Sequence, residues 1–308
     1  MRNVIRAFAL ACAALAQAQQ HLTKWTQIGG HDARTPIPVA PSAKSPGSRL
    51  GIQSWVTFDQ GDAARIWMFG GVTLENQVLG DLWYYTFGTA GSPGGEWHLV
   101  PTQGPQGGPA NRTGASTWVI HSDPCAMLVM FGGTSDVWLS STPLDDVWIF
   151  STCSDSMQWK KVANPNDAET PPVSVRDRRG RAVTLSGSLA TGAGRAWPEG
   201  RAGAITWQCT KTGDVFVFGG TQGAPNASSA SGADNDDNPG PSTHVVINEM
   251  WRFSLNFDSP NATTGWFKIP IPAQRSGHGH QLRGKSTGPV GVWPQSRSSC
   301  QPLLFSPL

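Results

Sequence analysis

A sequence unit that recurs three times constrains this chain more than any other feature. Each unit opens with Pro, two variable residues, Arg, one residue and Gly, and continues to a Phe-Gly-Gly turn. An acidic residue, an apolar residue and a Trp follow, and a further Trp closes the unit. The opening residues are Pro46 and Arg49, Pro109 and Arg112, and Pro198 and Arg201; the turns start at Phe69, Phe131 and Phe218; the closing residues are Trp97, Trp159 and Trp266. Parts in a fixed order with variable spacing indicate a repeat array.

The segments of each unit are typical of short β-strands. Runs rich in Val, Ile, Phe and Trp are separated by Gly, Pro and Ser clusters, and no helical period follows the first residues of the chain. Because four-stranded sheets repeated around an axis form a β-propeller, the predicted fold is all-β. The predicted blades are residues 46–100, 109–162 and 198–269, and Pro294 and Arg297 open a fourth unit in residues 294–308. We therefore expect an incomplete propeller of three full blades and the first strand of a fourth.

The Phe-Gly-Gly, Asp-Leu-Trp and closing Trp series, with Arg-x-Gly at the start of each unit, resembles the kelch repeat of galactose oxidase-like propellers. The resemblance covers residues 46 to 270 and implies a kelch-type β-propeller. It leaves the function open, because kelch propellers include peptide-binding adaptors, extracellular adhesion receptors and a few enzymes. The copper site of galactose oxidase requires tyrosines, histidines and a cysteine crosslink. The Tyr residues here are only Tyr84 and Tyr85, adjacent in one strand, so that site is not carried over.

The first residues have the order of a secretory signal peptide. Arg2 and Arg6 precede an apolar run and a small-residue Ala16-Gln17-Ala18 site, which predicts a signal peptide over residues 1–18. An anchoring helix is the alternative, but the apolar run is too short to span a bilayer. Within residues 19–45, the segment from Lys24 to Ile28 matches the fourth strands of the units and is expected to be a donated outer strand that closes a ring. Either further units or a partner would complete that ring.

Charge and glycosylation motifs agree with a secreted or lumenal protein. Removal of the signal peptide leaves 21 basic and 21 acidic side chains, so the electrostatics do not favour a nucleic-acid partner. Nothing later in the chain is long and apolar enough to predict a transmembrane segment. Acceptor sequons at Asn111, Asn226 and Asn261 fall in predicted loops, as glycosylation requires.

Four cysteines remain once Cys12 leaves with the signal peptide. Cys125 opens the second strand of its unit and Cys153 lies just beyond the third, and these ends lie side by side in an antiparallel pair. We therefore predict a Cys125–Cys153 disulfide. The pairing of Cys209 and Cys300 stays open, and free buried thiols are the alternative for all four.

Long insertions are expected to share one face of the propeller. In a four-stranded meander, the connections from strand two to three and from strand four to the next unit leave the same edge, and the insertions 160–200, 221–246 and 270–295 are all of these types. The repeated arginines begin their strands at this face, and two roles are open for them. They could bind an acidic or peptide ligand, or they could hydrogen-bond carbonyls of the neighbouring blade as part of the framework. These arginines are Arg49, Arg112, Arg201 and Arg297.

The first insertion carries the densest charge in the chain, from Arg176 through Arg178 and Arg179 to Arg181. This stretch could bind an acidic or sulfated glycan, be cut by a furin-like convertase after Arg179, or be a solvated basic loop. The second insertion contains Asp234 to Asn238, which does not match an EF-hand loop and is expected to be disordered. His278 and His280 in the third insertion have no companion ligand at a recognised spacing and are expected at the surface.

The sequence thus predicts a secreted or cell-surface kelch-repeat binding module that uses the long loops of one face. Its expected partners are a protein, a peptide or an acidic glycan. No catalytic residue, metal site or cofactor is predicted, because no triad, nucleotide loop or paired-carboxylate motif occurs at a diagnostic spacing. The alternative is a carbohydrate-active or other enzyme of the galactose oxidase-like superfamily, with catalytic residues in missing blades or in the loops of the same face.

Overall fold

The computed structural model describes residues 44–58, 64–88, 95–101, 107–121, 125–137, 142–153, 157–164, 170–177, 179–185, 196–222, 245–255 and 264–271. Within these ranges every regular element is a β-strand. No helix of the described part is long and apolar enough to cross a membrane. The chain divides into two units. The first unit comprises residues 1–37 and 87–96, of which only 87–88 and 95–96 are described. The second unit comprises residues 38–86 and 97–308. It contains all the strands except Glu96, the first residue of β4.

Three four-stranded antiparallel sheets, which we call blades 1, 2 and 3, follow one another along the chain. In each blade the strands are hydrogen-bonded in the order in which the chain forms them. Blade 1 contains β1 (Gln53–Phe58), β2 (Ala64–Phe69), β3 (Leu82–Thr86) and β4 (Glu96–Val100); blade 2 contains β5 (Ser116–His121), β6 (Ala126–Phe131), β7 (Val147–Ser151) and β8 (Trp159–Val162); blade 3 contains β11 (Ile205–Gln208), β12 (Val215–Phe218), β15 (Met250–Ser254) and β16 (Gly265–Ile269). The predicted all-β architecture of repeated four-stranded sheets is confirmed, and it is consistent with the blades of a β-propeller.

The double glycine of each unit ends the second strand for a steric reason. In blade 2, Gly132 has a φ of 72° and Gly133 a φ of 89°, a region in which side chains other than Gly are strained. A Cβ on Gly132 would also lie 2.6 Å from the carbonyl oxygen of Arg201 in blade 3. The glycines therefore allow both the sharp exit from the strand and the close approach of the next blade.

The blades pack face to face through two apolar clusters. Each blade has two faces. The leading face carries the Trp of the first strand and the Phe of the Phe-Gly-Gly turn. The trailing face is the opposite one and carries the closing Trp. Leading-face residues of blade 1 pack against trailing-face residues of blade 2. Blade 2 packs on blade 3 in the same way. Because strand side chains alternate between faces, each sheet can bury apolar residues on both sides.

The two junctions use the same aromatic contact. The closing Trp159 of blade 2 lies 5.4 Å from Phe69 and 6.3 Å from Trp55 of blade 1, measured between ring centroids. The closing Trp266 of blade 3 lies 5.0 Å from Phe131 and 6.1 Å from Trp118 of blade 2. The closing Trp therefore fills a slot formed by the preceding blade, which explains why the unit needs all three aromatic positions.

Two of the predicted insertions contain strands that the sequence reading did not identify. In the first insertion, β9 (Val173–Arg176) and β10 (Ala182–Leu185) pair as an antiparallel hairpin. In the second insertion, β13 (Thr221–Gln222) pairs with β14 (Val245–Val246). The β9–β10 hairpin forms because its apolar residues alternate and join the buried cluster between blades 2 and 3. The sequence analysis did not predict this hairpin. Its buried residues are Val173, Val175, Val183 and Leu185.

Cys125 and Cys153 form a disulfide, with their Cα atoms 5.3 Å apart. The bond joins the start of β6 to the residues after β7, as the antiparallel pairing of these strands predicted. Cys209 is also disulfide-bonded.

Several sequence predictions fall on residues that the structure does not describe. They are the signal peptide of residues 1–18, the donated strand in residues 19–45 up to residue 43, the start of a fourth unit in residues 294–308, the third insertion beyond residue 271, and the residues Arg178, Asn226, Asp234, Asn238, Asn261, His278, His280, Arg297 and Cys300.

Candidate functional site

The repeated arginine of each unit forms an ion pair inside its own blade. In blade 2, the Arg112 guanidinium places Nη1 2.6 Å from Oδ1 of Asp146 and Nη2 2.9 Å from Oδ2. Nη1 also donates to the carbonyl of Gly132 at 3.0 Å, and Nε donates to Ala110. The side chain of Arg112 is 0% exposed. Its donors are therefore directed at groups of the blade that it opens, and the two-point contact with a carboxylate is the geometry for which a guanidinium is suited.

Blade 1 repeats this arrangement and blade 3 varies it. Arg49 donates to both carboxylate oxygens of Asp81, at 2.6 and 3.0 Å, and to the carbonyl of Gly70 at 3.1 Å. In blade 3, Arg201 donates to Oε2 of Glu249 at 3.3 Å and to the carbonyl of Gly219 at 3.3 Å. The longer Glu249 side chain accepts one hydrogen bond from Arg201, where Asp146 accepts two from Arg112, and it is also paired with Lys268.

The Trp that follows each acidic residue donates to the same carboxylate. Trp83 Nε1 donates to Asp81 at 2.6 Å, and Trp148 Nε1 donates to Asp146 at 2.7 Å. Burial favours the protonated form of Asp81, but the hydrogen bonds from Arg49 and Trp83 outweigh it and hold the pKa of that carboxyl below its ordinary value. The Asp-Leu-Trp motif thus pairs an acid with an indole donor two residues later.

Blade 3 shows the same balance of burial and pairing. Burial favours protonation of Glu249, but hydrogen bonds from Lys268, Trp251 and Arg201 lower its pKa below the ordinary value. Burial lowers the pKa of Arg201, and the charge of Glu249 opposes that shift. The carboxylate remains ionised near neutral pH and can keep the buried guanidinium paired.

The backbone of the Arg-x-Gly segment joins one blade to the next. The amide of Gly71 donates to the carbonyl of Arg112 at 2.9 Å, and the amide of Gly133 donates to the carbonyl of Arg201 at 2.8 Å. The Gly residues of the motif form a second series, in which Gly114 donates to Gly51 and Gly203 donates to Gly114. The Arg side chain fixes its own blade, while its backbone fixes the neighbouring blade.

These contacts support the framework role for the described arginines, but by another geometry than the sequence reading proposed. The side chains bond to carbonyls of their own blade, not of the neighbouring blade, because the paired acid stands at the start of the third strand of the same sheet. A ligand-binding role for Arg49, Arg112 and Arg201 stays a prediction. The hydrogen-bonding nitrogens of these three side chains point to protein groups, apart from the buried Nε of Arg49, which has no hydrogen-bond partner among the described residues.

The described residues of the basic stretch, Arg176 and residues 179–181, lie at the turn of the β9–β10 hairpin. Asp177 accepts hydrogen bonds from the amides of Arg179 and Arg181, both at 2.9 Å, and forms an ion pair with the Arg181 side chain at 2.5 Å. Arg176 donates to the carbonyl of Gly180 at 3.0 Å. The side chain of Asp177 is partly buried, and its pKa is below the ordinary value because the hydrogen bonds from Arg181 and Arg179 outweigh its desolvation. The tip holds Arg176 and Arg179 at the surface.

Both insertions that contain strands leave the same edge of the blades. In blade 2, Phe131 pairs with Val147, and Val147 pairs with Val162, so the end of β6 and the end of β8 lie together. The β9–β10 hairpin follows β8, and the β13–β14 ribbon follows the equivalent end of β12. The repeated Arg lies at this edge as well, as the contact of Arg112 with Gly132 shows.

Asn111 lies at the surface beside the repeated Arg112. Its side-chain Nδ2 donates one of its two hydrogens to the carbonyl of Val78 at 3.0 Å. The second hydrogen of this amide is not used in that bond. Glycosylation of Asn111 stays a prediction. Among the described residues, no group of His, Cys, Asp and Glu side chains has the arrangement of a metal site.

Fold and site together define an all-β protein with propeller-type blades whose repeated motif residues form the joints between sheets. No protein-family model matches the sequence, and no curated protein matches it. A solved structure titled "Structure of YjhT" aligns with 72% of this chain and 70% of its own length, at 14% identity and a TM-score of 0.32. A cryo-EM structure of RAG in complex with one melted and one unmelted RSS aligns with 82% of this chain and 71% of its own, at 14% identity and a TM-score of 0.35. Such low TM-scores support no argument about function.

Proposed function

We propose that this protein is a secreted kelch-repeat interaction module whose basic hairpin tip binds an anionic partner. The observation that carries the proposal is the exposure of Arg176 and Arg179 at the turn of a hairpin whose base is buried in the core. The residues of the tip, from Arg176 to Arg181, include four Arg and one Asp. A local excess of positive charge attracts carboxylate or sulfate groups and increases the association rate with an anionic ligand.

The base of the β9–β10 hairpin is anchored in the apolar core, so the tip is held on a fixed support. Val175 and Leu185 are 0% exposed and belong to the cluster between blades 2 and 3. Asp177 bridges the turn by accepting hydrogen bonds from the amides of Arg179 and Arg181. These contacts favour one conformation of the described tip residues, and a preorganised group loses less conformational entropy on binding than a flexible loop. Functional groups on a rigid frame are typical of binding surfaces in repeat proteins.

The kelch assignment is supported by the motif and by its geometry. The Arg, the double Gly and the acid-x-Trp residues, far apart in sequence, meet at one point in each blade. Secretion is supported by the Cys125–Cys153 disulfide and by the disulfide of Cys209, because such bonds persist in oxidising compartments.

The test compares binding of the full chain to a sulfated polysaccharide column and to an acidic peptide. Replacement of Arg176 and Arg179 by Ala should lower the salt concentration needed for elution, because two exposed charges leave the surface. The matched control is Lys211→Ala, which removes an exposed cation in the β11–β12 turn. Equal elution of the double variant and the wild-type protein, or equal loss in the Lys211 variant, would contradict the proposal. A difference seen only with the polysaccharide or only with the peptide identifies the ligand class.

A further inference from the structure

The turn of the β9–β10 hairpin contains two overlapping Arg-x-x-Arg sequences. One runs from Arg176 to Arg179 and the other from Arg178 to Arg181, and no other two arginines in the chain have this spacing. Furin-like serine endoproteases cut after an arginine that a second arginine precedes by three residues. The sequence therefore offers two bonds to such a protease, one after Arg179 and one after Arg181.

The bond after Arg179 lies outside the strand pairing. The register of the hairpin ends where Arg176 pairs with Ala182, so the residues between them belong to the turn. Arg179 and Gly180 are both exposed, and a Cβ added to Gly180 would meet no atom within 4 Å. Exposed turns with small residues are preferred positions of proteolytic cleavage. Both residues of this bond are therefore accessible to a protease.

The bond after Arg181 is held by the hairpin. The partly buried Arg181 side chain donates from Nε to Oδ2 of Asp177 at 2.7 Å, and the amide of Asp177 donates to the Arg181 carbonyl at 3.0 Å. The next residue, Ala182, is the first residue of β10 and pairs with Arg176. A protease that cuts here has to take the Arg181 side chain into its S1 pocket, which breaks the ion pair and the start of the strand pairing. The fold therefore favours cleavage after Arg179.

The turn is closed, and it has to open before its bond can be cut. Asp177 accepts hydrogen bonds from the amides of Arg179 and Arg181. The amide of Gly180 donates to the Asp177 carbonyl at 3.0 Å, and Arg176 donates to the carbonyl of Gly180 at 3.0 Å. Proteases bind the cleaved segment in an extended conformation, so the rate of cleavage follows the fraction of molecules in which the turn is open. Asp177 therefore controls access to the bond.

Cleavage of this bond leaves both halves of the protein attached to the same core. The cluster between blades 2 and 3 contains buried side chains from both sides of the bond. On the hairpin these are Val173 and Val175 before the bond and Val183 and Leu185 after it. The closing Trp266 also remains in the slot of blade 2. The cut protein is therefore expected to keep its blades as two associated chains.

We propose that the β9–β10 turn is a processing site, at which a serine endoprotease selective for Arg-x-x-Arg hydrolyses the bond between Arg179 and Gly180. The water oxygen bonds to the carbonyl carbon of Arg179 as the C–N bond breaks. Both water protons pass to the nitrogen of Gly180, which leaves a carboxylate on one chain and an ammonium group on the other. The product is a folded two-chain protein. This inference does not depend on the anionic partner proposed above.

The experiment treats the folded full-length chain with a furin-like convertase and identifies the new chain ends by mass spectrometry. The cut after Arg179 should be faster than the cut after Arg181 by about tenfold or more. In the reduced, alkylated and unfolded chain, cleavage after Arg181 should rise relative to cleavage after Arg179, because the ion pair and the strand pairing are lost. The cut native protein should elute from a gel-filtration column at the volume of the uncut protein.

Two variants separate recognition from opening of the turn. Arg179→Gln removes the arginine that enters the S1 pocket and should lower the rate of the first cut by about tenfold or more. Asp177→Asn removes the charge that holds the turn closed and should raise the rate in the folded chain by about threefold to tenfold, but not in the unfolded chain. The matched control is Lys211→Ala in the exposed β11–β12 turn, which should be cut like the wild type. Unchanged thermal unfolding shows that each variant is folded.

The outcomes decide the proposal directly. A folded wild-type chain that resists the convertase, while its unfolded form is cut, overturns the proposal, as does a first cut after Arg181. Separation of the two halves on the column overturns the two-chain product. Equal rates for the folded wild-type and Asp177→Asn chains overturn the control of access by Asp177. A single cut after Arg179, faster in the Asp177→Asn variant and without loss of assembly, supports all three parts of the inference.

Discussion

Arg112 and Asp146 are 34 residues apart in the sequence and face each other through two parallel hydrogen bonds, at 2.6 and 2.9 Å. The pair joins the segment before the first strand of blade 2 to the segment before its third strand. It therefore closes the sheet across the second strand, whose double glycine supplies the carbonyl that accepts a further bond from Arg112. Two more copies of this arrangement occur, in blades 1 and 3.

Removal of the Arg112 side chain should be among the most destabilising single changes in the chain. Arg112→Ala leaves the Asp146 carboxylate without its partner in a partly buried position, which typically costs about 3–5 kcal/mol of unfolding free energy. Denaturant unfolding measures the effect. Lys211→Ala, an exposed cation, should change the stability by less than about 0.5 kcal/mol. Comparable losses in both variants would show that the ion pair does not hold the blade together.

The carboxylates that pair with the repeated arginines should make stability depend on acid pH. The pKa values of Asp81 and Glu249 lie below their ordinary values of 3.8 and 4.5, so the unfolded chain binds protons more readily than the folded one. Stability from these groups is fully present above the unfolded pKa and is lost as the pH falls through the folded pKa. Asp81→Asn should flatten the pH profile of the unfolding midpoint below pH of about 4. A variant with the wild-type profile would contradict this assignment.

The Cys125–Cys153 disulfide should contribute measurably to stability. It closes a loop with a sequence separation of 28 residues, for which the loss of unfolded-chain entropy corresponds to about 3.5 kcal/mol. A double Cys→Ser variant, compared with the wild type under non-reducing conditions, should show a loss of this order. Peptide mapping of oxidised protein should find the two cysteines in one linked fragment. Recovery of both as free thiols would disprove the bond.

The double glycine offers a matched comparison of steric contact and backbone strain. Gly132 and Gly213 have nearly equal φ values, 72° and 76°. A Cβ at Gly132 would lie 2.6 Å from the Arg201 carbonyl oxygen, whereas one at Gly213 would meet nothing within 4 Å. Gly213→Ala should cost about 1–2 kcal/mol, the strain of the left-handed conformation alone. Gly132→Ala should cost about 1–3 kcal/mol more, because blade 3 must shift. Equal unfolding free energies for the two variants would refute the contact argument.

Much of the fold could be predicted from the sequence because its signals are local and repeated. The double glycines mark the ends of the second strands. Apolarity alone does not mark the buried side of β1, where Gln53 and Thr57 are buried and Val56 and Phe58 are exposed. The Cys125–Cys153 pair followed from the antiparallel order of β6 and β7. The β9–β10 hairpin could not be predicted, because β9 has four residues and its only apolar side chains, Val173 and Val175, are too short a pattern to distinguish a strand from a loop.

The partners of the repeated arginines could not be predicted from the sequence. The sequence determines that Arg49, Arg112 and Arg201 are equivalent, since each opens a unit at the same spacing. It does not determine where a guanidinium points, because that depends on which acid arrives beside it when strands far apart in the chain pair. The sequence by itself therefore determined the repeated four-stranded unit. Only the tertiary structure decided that the described arginines bond within their own blade, since side-chain partners depend on the three-dimensional packing of the sheets.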